Sequence, residues 1–128
     1  MIYELWKQWH KCRSFLRKPL EMCFTHSEDD ILIGLASGQL RLWQGHRSAI
    51  VTRINIEPQL KILEYLLIGG ELEDVKVMKE EIEAWGFEQG CSVAQGTGRR
   101  GWNKVLDDYE EIGVVVAKEL GDARSVRT

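Results

Sequence analysis

A chain of 128 residues, 44% hydrophobic and 29% charged, is long enough to bury one core, too short for two, and too apolar to stay disordered. Its net charge of -3 excludes a general attraction to nucleic acid or an anionic membrane, so binding of that kind needs a local basic patch. Cys12, Cys23 and Cys91 have neither C-x-x-C spacing nor a neighbouring histidine pair; they read as reduced intracellular thiols, and no disulfide framework, metal site, export signal or membrane span is expected.

Residues 2–17 carry Leu5, Trp9, Cys12 and Leu16 at helical spacing, and Pro19 is expected to stop this first helix because it has no N–H to donate. Residues 20–25 read as a brief strand or a connector. Two overlapping capping boxes, Thr25 to Glu28 and Ser27 to Asp30, start a second helix, in which Ile31/Leu32 and Leu35/Ala36 share a face and Gly38 supplies the end. The period then changes to two. Leu40 and Leu42 mark a first strand, Gly45-His46-Arg47 a turn, residues 48–56 a β-branched second strand, and residues 60–68 a third strand apolar on both faces, as a central strand is.

After Gly69-Gly70, residues 71–88 place Leu72, Val75, Met78, Ile82 and Trp85 on one helical face, with Lys76, Lys79, Glu80, Glu83 and Glu88 mainly elsewhere. Gly90 ends this helix. Residues 91–95 predict a short strand, Gly96 to Gly101 a loop rich in glycine and arginine, 102–107 a short helix, 111–119 a last strand, and 121–128 a flexible polar tail behind a single domain of residues 1–120.

The expected product is an α/β domain: two helices, a three-strand meander, a crossover helix, a parallel strand, a short helix and a final strand, giving a mixed, mostly antiparallel sheet flanked by helices. This order resembles the acetyltransferase (GNAT) fold. Leu42-Trp43, Val51-Thr52, Gly69-Gly70, Ala84-Trp85, Gly90-Cys91 and above all Gly98-Arg99-Arg100-Gly101-Trp102 resemble a family of small GNAT-like proteins encoded in bacteriophage genomes, over roughly residues 25–120. The resemblance implies a virion or assembly component in the host cytoplasm or the particle. Its expected partners are other phage proteins or a second copy of itself, with acetyl transfer weak or absent and no cofactor. The same resemblance allows an acetyl-CoA-dependent N-acetyltransferase.

In active enzymes of that fold, the loop after the third meander strand holds the coenzyme A pyrophosphate on backbone amides and a helix N-terminus. The matching stretch here is Ile68-Gly69-Gly70-Glu71-Leu72-Glu73-Asp74. Gly69, Gly70 and Arg99 remain as cofactor-binding candidates, but three carboxylates crowd the first helical turn. Unit charges about 4 Å apart interact by about 1 kcal/mol in water and about 4 kcal/mol at a surface-like dielectric, so three anions outweigh the helix's partial positive charge of about one half. The plainer reading is that these acids complement the helix dipole, as in many helices.

Arg99, Arg100 and Trp102 form the candidate anion- or partner-binding group, suited to phosphate, a nucleic-acid backbone or a partner carboxylate. A small anion- or nucleic-acid-binding module is therefore a second alternative; the plainer expectation pairs an arginine with Asp107 or Asp108 and packs Trp102 under the sheet. The catalytic candidates are Glu64 as a general base and Tyr109 as a general acid, the latter where GNAT enzymes often carry a tyrosine. His10, His26 and His46 read as structural or solvated, and Trp6 and Trp9 as packing or interface aromatics.

Overall fold

Two tight turns and one helical crossover shape the sheet. The computed structural model describes residues 2–97 and 105–121. In chain order these form α1 (Ile2–Glu21), α2 (Glu28–Ser37), β1 (Leu40–Gln44), β2 (Ser48–Ile56), β3 (Lys61–Gly70), α3 (Leu72–Glu88) and β4 (Val93–Gly96). The first three strands are an antiparallel meander, and α3 carries the chain across to lay β4 parallel to β3, giving the order β1-β2-β3-β4. Helices cover both faces. On one, Trp9, Cys12 and Leu16 of α1 and Ile31 and Leu35 of α2 meet Leu40, Leu42, Ala49, Val51 and Leu67. On the other, Val75, Met78 and Ile82 of α3 meet Ile50, Leu63 and Tyr65. Each fully buried aliphatic side chain of this kind contributes about 1.5–3 kcal/mol of transfer free energy.

The helix ends follow their local chemistry. Ser27 caps α2 with the expected box, its hydroxyl accepting from the Asp30 N–H while Asp30 reaches back to the Ser27 N–H, and Gly38 closes the helix at φ +83°. At the end of α3, Gly90 at φ +90° lets the Cys91 N–H reach the Gly86 carbonyl and the Gly90 N–H reach that of Phe87, a Schellman closure.

Pro19 does not stop the first helix; α1 continues through it to Glu21, and residues 22–26 are a connector without a strand. The proline deprives the Phe15 carbonyl of its partner four residues on, and that carbonyl lies against Gly69 of β3, where a Cβ would come within 1.9 Å of it. Gly69 and Gly70 themselves belong to the strand rather than to a loop. Within β3 one extra residue, Leu66, intervenes between the pairs Tyr65↔Thr52 and Leu67↔Val51. This bulge reverses the alternation: Leu63 and Tyr65 face α3, whereas Leu67 faces α1 and α2. Pairing with β4 stops beside it, at Tyr65↔Gly96, while β3 runs on to Gly70.

The C-terminal expectations need correction. Residues 102–104 of the expected short helix lie outside the described residues, and 105–108 form turns. The expected last strand, 111–119, is not formed: it has no strand partner among the described residues and is exposed throughout. Its β-branched composition favours a strand, but a strand persists only when its backbone groups are paired and a face is buried. The expected tail beyond residue 121 is outside the described residues. No helix among the described residues is long and apolar enough to cross a membrane.

Gly69→Ala is expected to lower stability by about 3 kcal/mol in urea denaturation, because the intruding methyl meets backbone that cannot turn aside. Gly121→Ala, with open space around it, should stay within about 0.5 kcal/mol of wild type.

Candidate functional site

The entrance to α3 is fastened to the turn between β1 and β2. The Gly45 N–H closes this turn on the Ser48 carbonyl at 2.9 Å, and the turn then docks on the helix. Asp74 Oδ2 accepts from the Arg47 N–H at 2.8 Å and from the hydroxyl of Ser48, a residue with no exposed surface. The Glu71 N–H donates to the Arg47 carbonyl at 3.0 Å, and Arg47 Nη1 pairs with Glu71 Oε1 at 3.2 Å. The Ser48 hydroxyl, then the Arg47 N–H, hold the Asp74 carboxyl below the usual carboxylate range. Glu73 stays exposed.

The space at both glycines, Gly69 and Gly70, is filled by the protein's own backbone. Gly69 admits the Phe15 carbonyl, and Gly70, at φ +116°, admits the Arg47 carbonyl and Ser48 Cα, each 2.4 Å from where a Cβ would stand. These contacts explain the glycines without a phosphate. An ionised Asp74 and the Glu71 carboxylate flank the amides where a pyrophosphate would rest, so the residues present do not fit that group.

A second feature is an open cleft of about 1380 Å³ between β4, the end of α3 and residues 105–115. Leu63, Gly86 and Leu106 contribute apolar wall, and Glu83, Asp108, Glu110 and Glu111 line it with acid. Tyr109 donates to the Glu83 carboxylate, and the Tyr65 and Tyr109 hydroxyls lie 3.3 Å apart. Burial raises both phenols above the ordinary tyrosine value, and at Tyr109 the Glu83 hydrogen bond raises it further. Such a phenol keeps its proton and is a weak general acid.

Lys79, placed by the sequence reading away from the apolar face, is buried and donates to Asp108, with Asp107 3.7 Å away. Burial disfavours its charge, but the Asp108 hydrogen bond and the nearby carboxylates outweigh that and raise its pKa, while Lys79 lowers that of Asp108. The Asp107 and Asp108 carboxylates offered to the arginine loop thus meet α3 lysines, Lys76 also reaching Asp107 at 3.5 Å.

The two catalytic candidates are not brought together. Glu64 lies between Leu63 and Tyr65, which face α3, so its side chain projects from the opposite face of the sheet, where it accepts from Arg53 Nε and from Asn55 Nδ2 at 3.2 Å. Tyr109 is on the α3 side. Arg99, Arg100 and Trp102 lie outside the described residues. Tyr109 was singled out from sequence, but its grouping with Glu83 and Tyr65 was not; the available signal was Lys76, Lys79 and Glu83 recurring at three- and four-residue spacing on α3.

No family model and no curated protein matches this sequence. Two solved structures do match it in fold. TTHA1254 from Thermus thermophilus aligns as a point mutant with a TM-score of 0.60 at 9% identity, over 84% of this chain and 92% of that one. The wild-type form aligns with a TM-score of 0.57 at 10% identity and the same coverage. What is shared is the fold: a mixed α/β domain with a four-stranded mixed sheet between helices.

Because folding lowers the Asp74 pKa, its contribution to stability is present above the ordinary carboxylate range and is lost as pH falls through the lowered folded value. Asp74→Asn is therefore expected to melt below wild type at neutral pH, with the gap closing in acid. A gap unchanged down to about pH 2 would show that the carboxylate charge does not hold the turn.

Proposed function

We propose that this chain is a GNAT-like domain of the bacteriophage type, serving in virion assembly through protein contacts, with acetyl transfer weak or absent. The observation that carries the reading is the entrance to α3, where Asp74, kept ionised by Ser48 and the Arg47 N–H, and Glu71 stand where a coenzyme A pyrophosphate would need positive potential. Gly69 and Gly70 give up their free space to Phe15, Arg47 and Ser48, which supports the same conclusion. The separation of Glu64 and Tyr109 by the thickness of the sheet agrees with it. The phage assignment draws its support from the Gly98 to Trp102 motif and the dipeptides around it.

One observation favours a second reading, acetyl-CoA-dependent N-acetyl transfer. Among the described residues the parallel pairing ends at Tyr65 and Gly96, and no strand occupies that edge of β3 from Leu66 onward. An opened parallel pair beside a helix N-terminus is a place where an amide-bearing ligand can lie along strand edges.

Calorimetric titration of the full chain with coenzyme A and with acetyl-CoA separates the readings. No saturable binding is expected, and Glu71→Gln with Glu73→Gln should change that little while Asp74 remains. A micromolar dissociation constant for the unmodified chain would overturn the assembly reading in favour of the enzyme.

A further inference from the structure

Residues 111–120 are exposed, yet they contain Ile112, Val114, Val115 and Val116, whose exposures run from 78% to 88%. The β-branched side chains at the centre of β2, Ile50 and Val51, lie by contrast in a strand covered by helices. A continuous β-branched run left in water marks a surface that meets a partner. The sequence of the run itself identifies one.

Laid antiparallel against a second copy with Val114 opposite Val114, residues 110–118 pair Ile112 with Val116, Gly113 with Val115, Glu111 with Ala117 and Glu110 with Lys118. Alternation then places Ile112, Val114 and Val116 of both strands on one face, closed at each end by a Glu110–Lys118 pair on that same face. A slip of one step in one direction pairs Glu111 with Lys118 but opposes Glu110 to Glu119, and in the other it sets Glu111 against Val116. Only the register centred on Val114 satisfies both charge and hydrophobicity among these three. Its two-fold symmetry is that of an isologous dimer.

We propose that residues 110–118 become a strand on meeting a second copy, forming an antiparallel ribbon about Val114 that joins two molecules. A two-stranded ribbon alone is marginal in water and needs an apolar backing. The neighbouring cleft supplies it: the exposed ring of Phe87 and the side chain of Val93 on β4, the last strand in the sheet order, line its wall. This interface involves neither the α3 entrance nor the phage motif, so it stands or falls separately from the proposed function.

Sedimentation of the full chain should show a concentration-dependent monomer–dimer equilibrium. In a Cys23→Ser background, with Cys12 and Cys91 buried, Val114→Cys should cross-link to itself under mild oxidation far faster than Val115→Cys, which faces Gly113. Glu110→Lys should weaken the dimer about tenfold through two like-charge contacts, and adding Lys118→Glu should restore it. All these positions on the 110–118 segment are exposed, so the fold is unaffected. A chain that stays monomeric, equal cross-linking at both cysteines, or a dimer indifferent to the charge exchange would each overturn the proposal.

Discussion

The carbonyl of Phe15 rests on the backbone of Gly69, and much of the molecule is arranged around that contact. Pro19 removes the N–H that would have satisfied this carbonyl within α1, and the missing side chain at Gly69 lets the helix come down on β3. A closely seated α1 brings Trp9, Cys12 and Leu16 onto the sheet, and with them α2, whose Glu28 accepts from Trp9 Nε1 at 3.3 Å. A proline and a glycine that look like breakers in isolation are the two halves of one packing contact.

The same contact bears on function, because it gives Gly69 a purpose other than making room for a ligand. Gly70 has its own, at the turn between β1 and β2, and Asp74 holds that turn by accepting from a backbone N–H and a buried hydroxyl. Together these features convert a helix entrance, a common anion site, into an internal joint with a fixed negative charge. The Leu66 bulge works on the other side of the strand: it exchanges the faces of β3 and marks the point where β3 and β4 part. Glu64 precedes the bulge and belongs to the face opposite α3, which leaves it bound to Arg53 and Asn55 and remote from Tyr109.

The cleft beside β4 combines a closed polar group with an unfinished apolar one. Tyr109, Glu83, Lys79 and Asp108 satisfy one another, so they stiffen the wall and offer little free chemistry. Next to them the aliphatic run from Ile112 to Val116 has no cover among the described residues of its own chain.

Local patterns in the sequence determined a large part of this protein. Period and capping chemistry located α2 from Ser27 to Gly38, β2 at residues 48–56 and the body of α3, since each depends on contacts only a few residues apart. The acids at the α3 entrance were equally legible. Tertiary structure decided what one-dimensional patterns do not encode: that α1 passes through Pro19 with the freed Phe15 carbonyl seated against Gly69, that Lys79 is buried beside Asp108, and that Glu64 and Tyr109 occupy opposite faces because Leu63 and Tyr65 on either side of Glu64 are the ones that meet α3. It also decided that residues 111–119, strand-like in every local respect, stay unpaired in a single chain. A strand is a relation between two segments, and one segment's composition cannot supply the other's backbone.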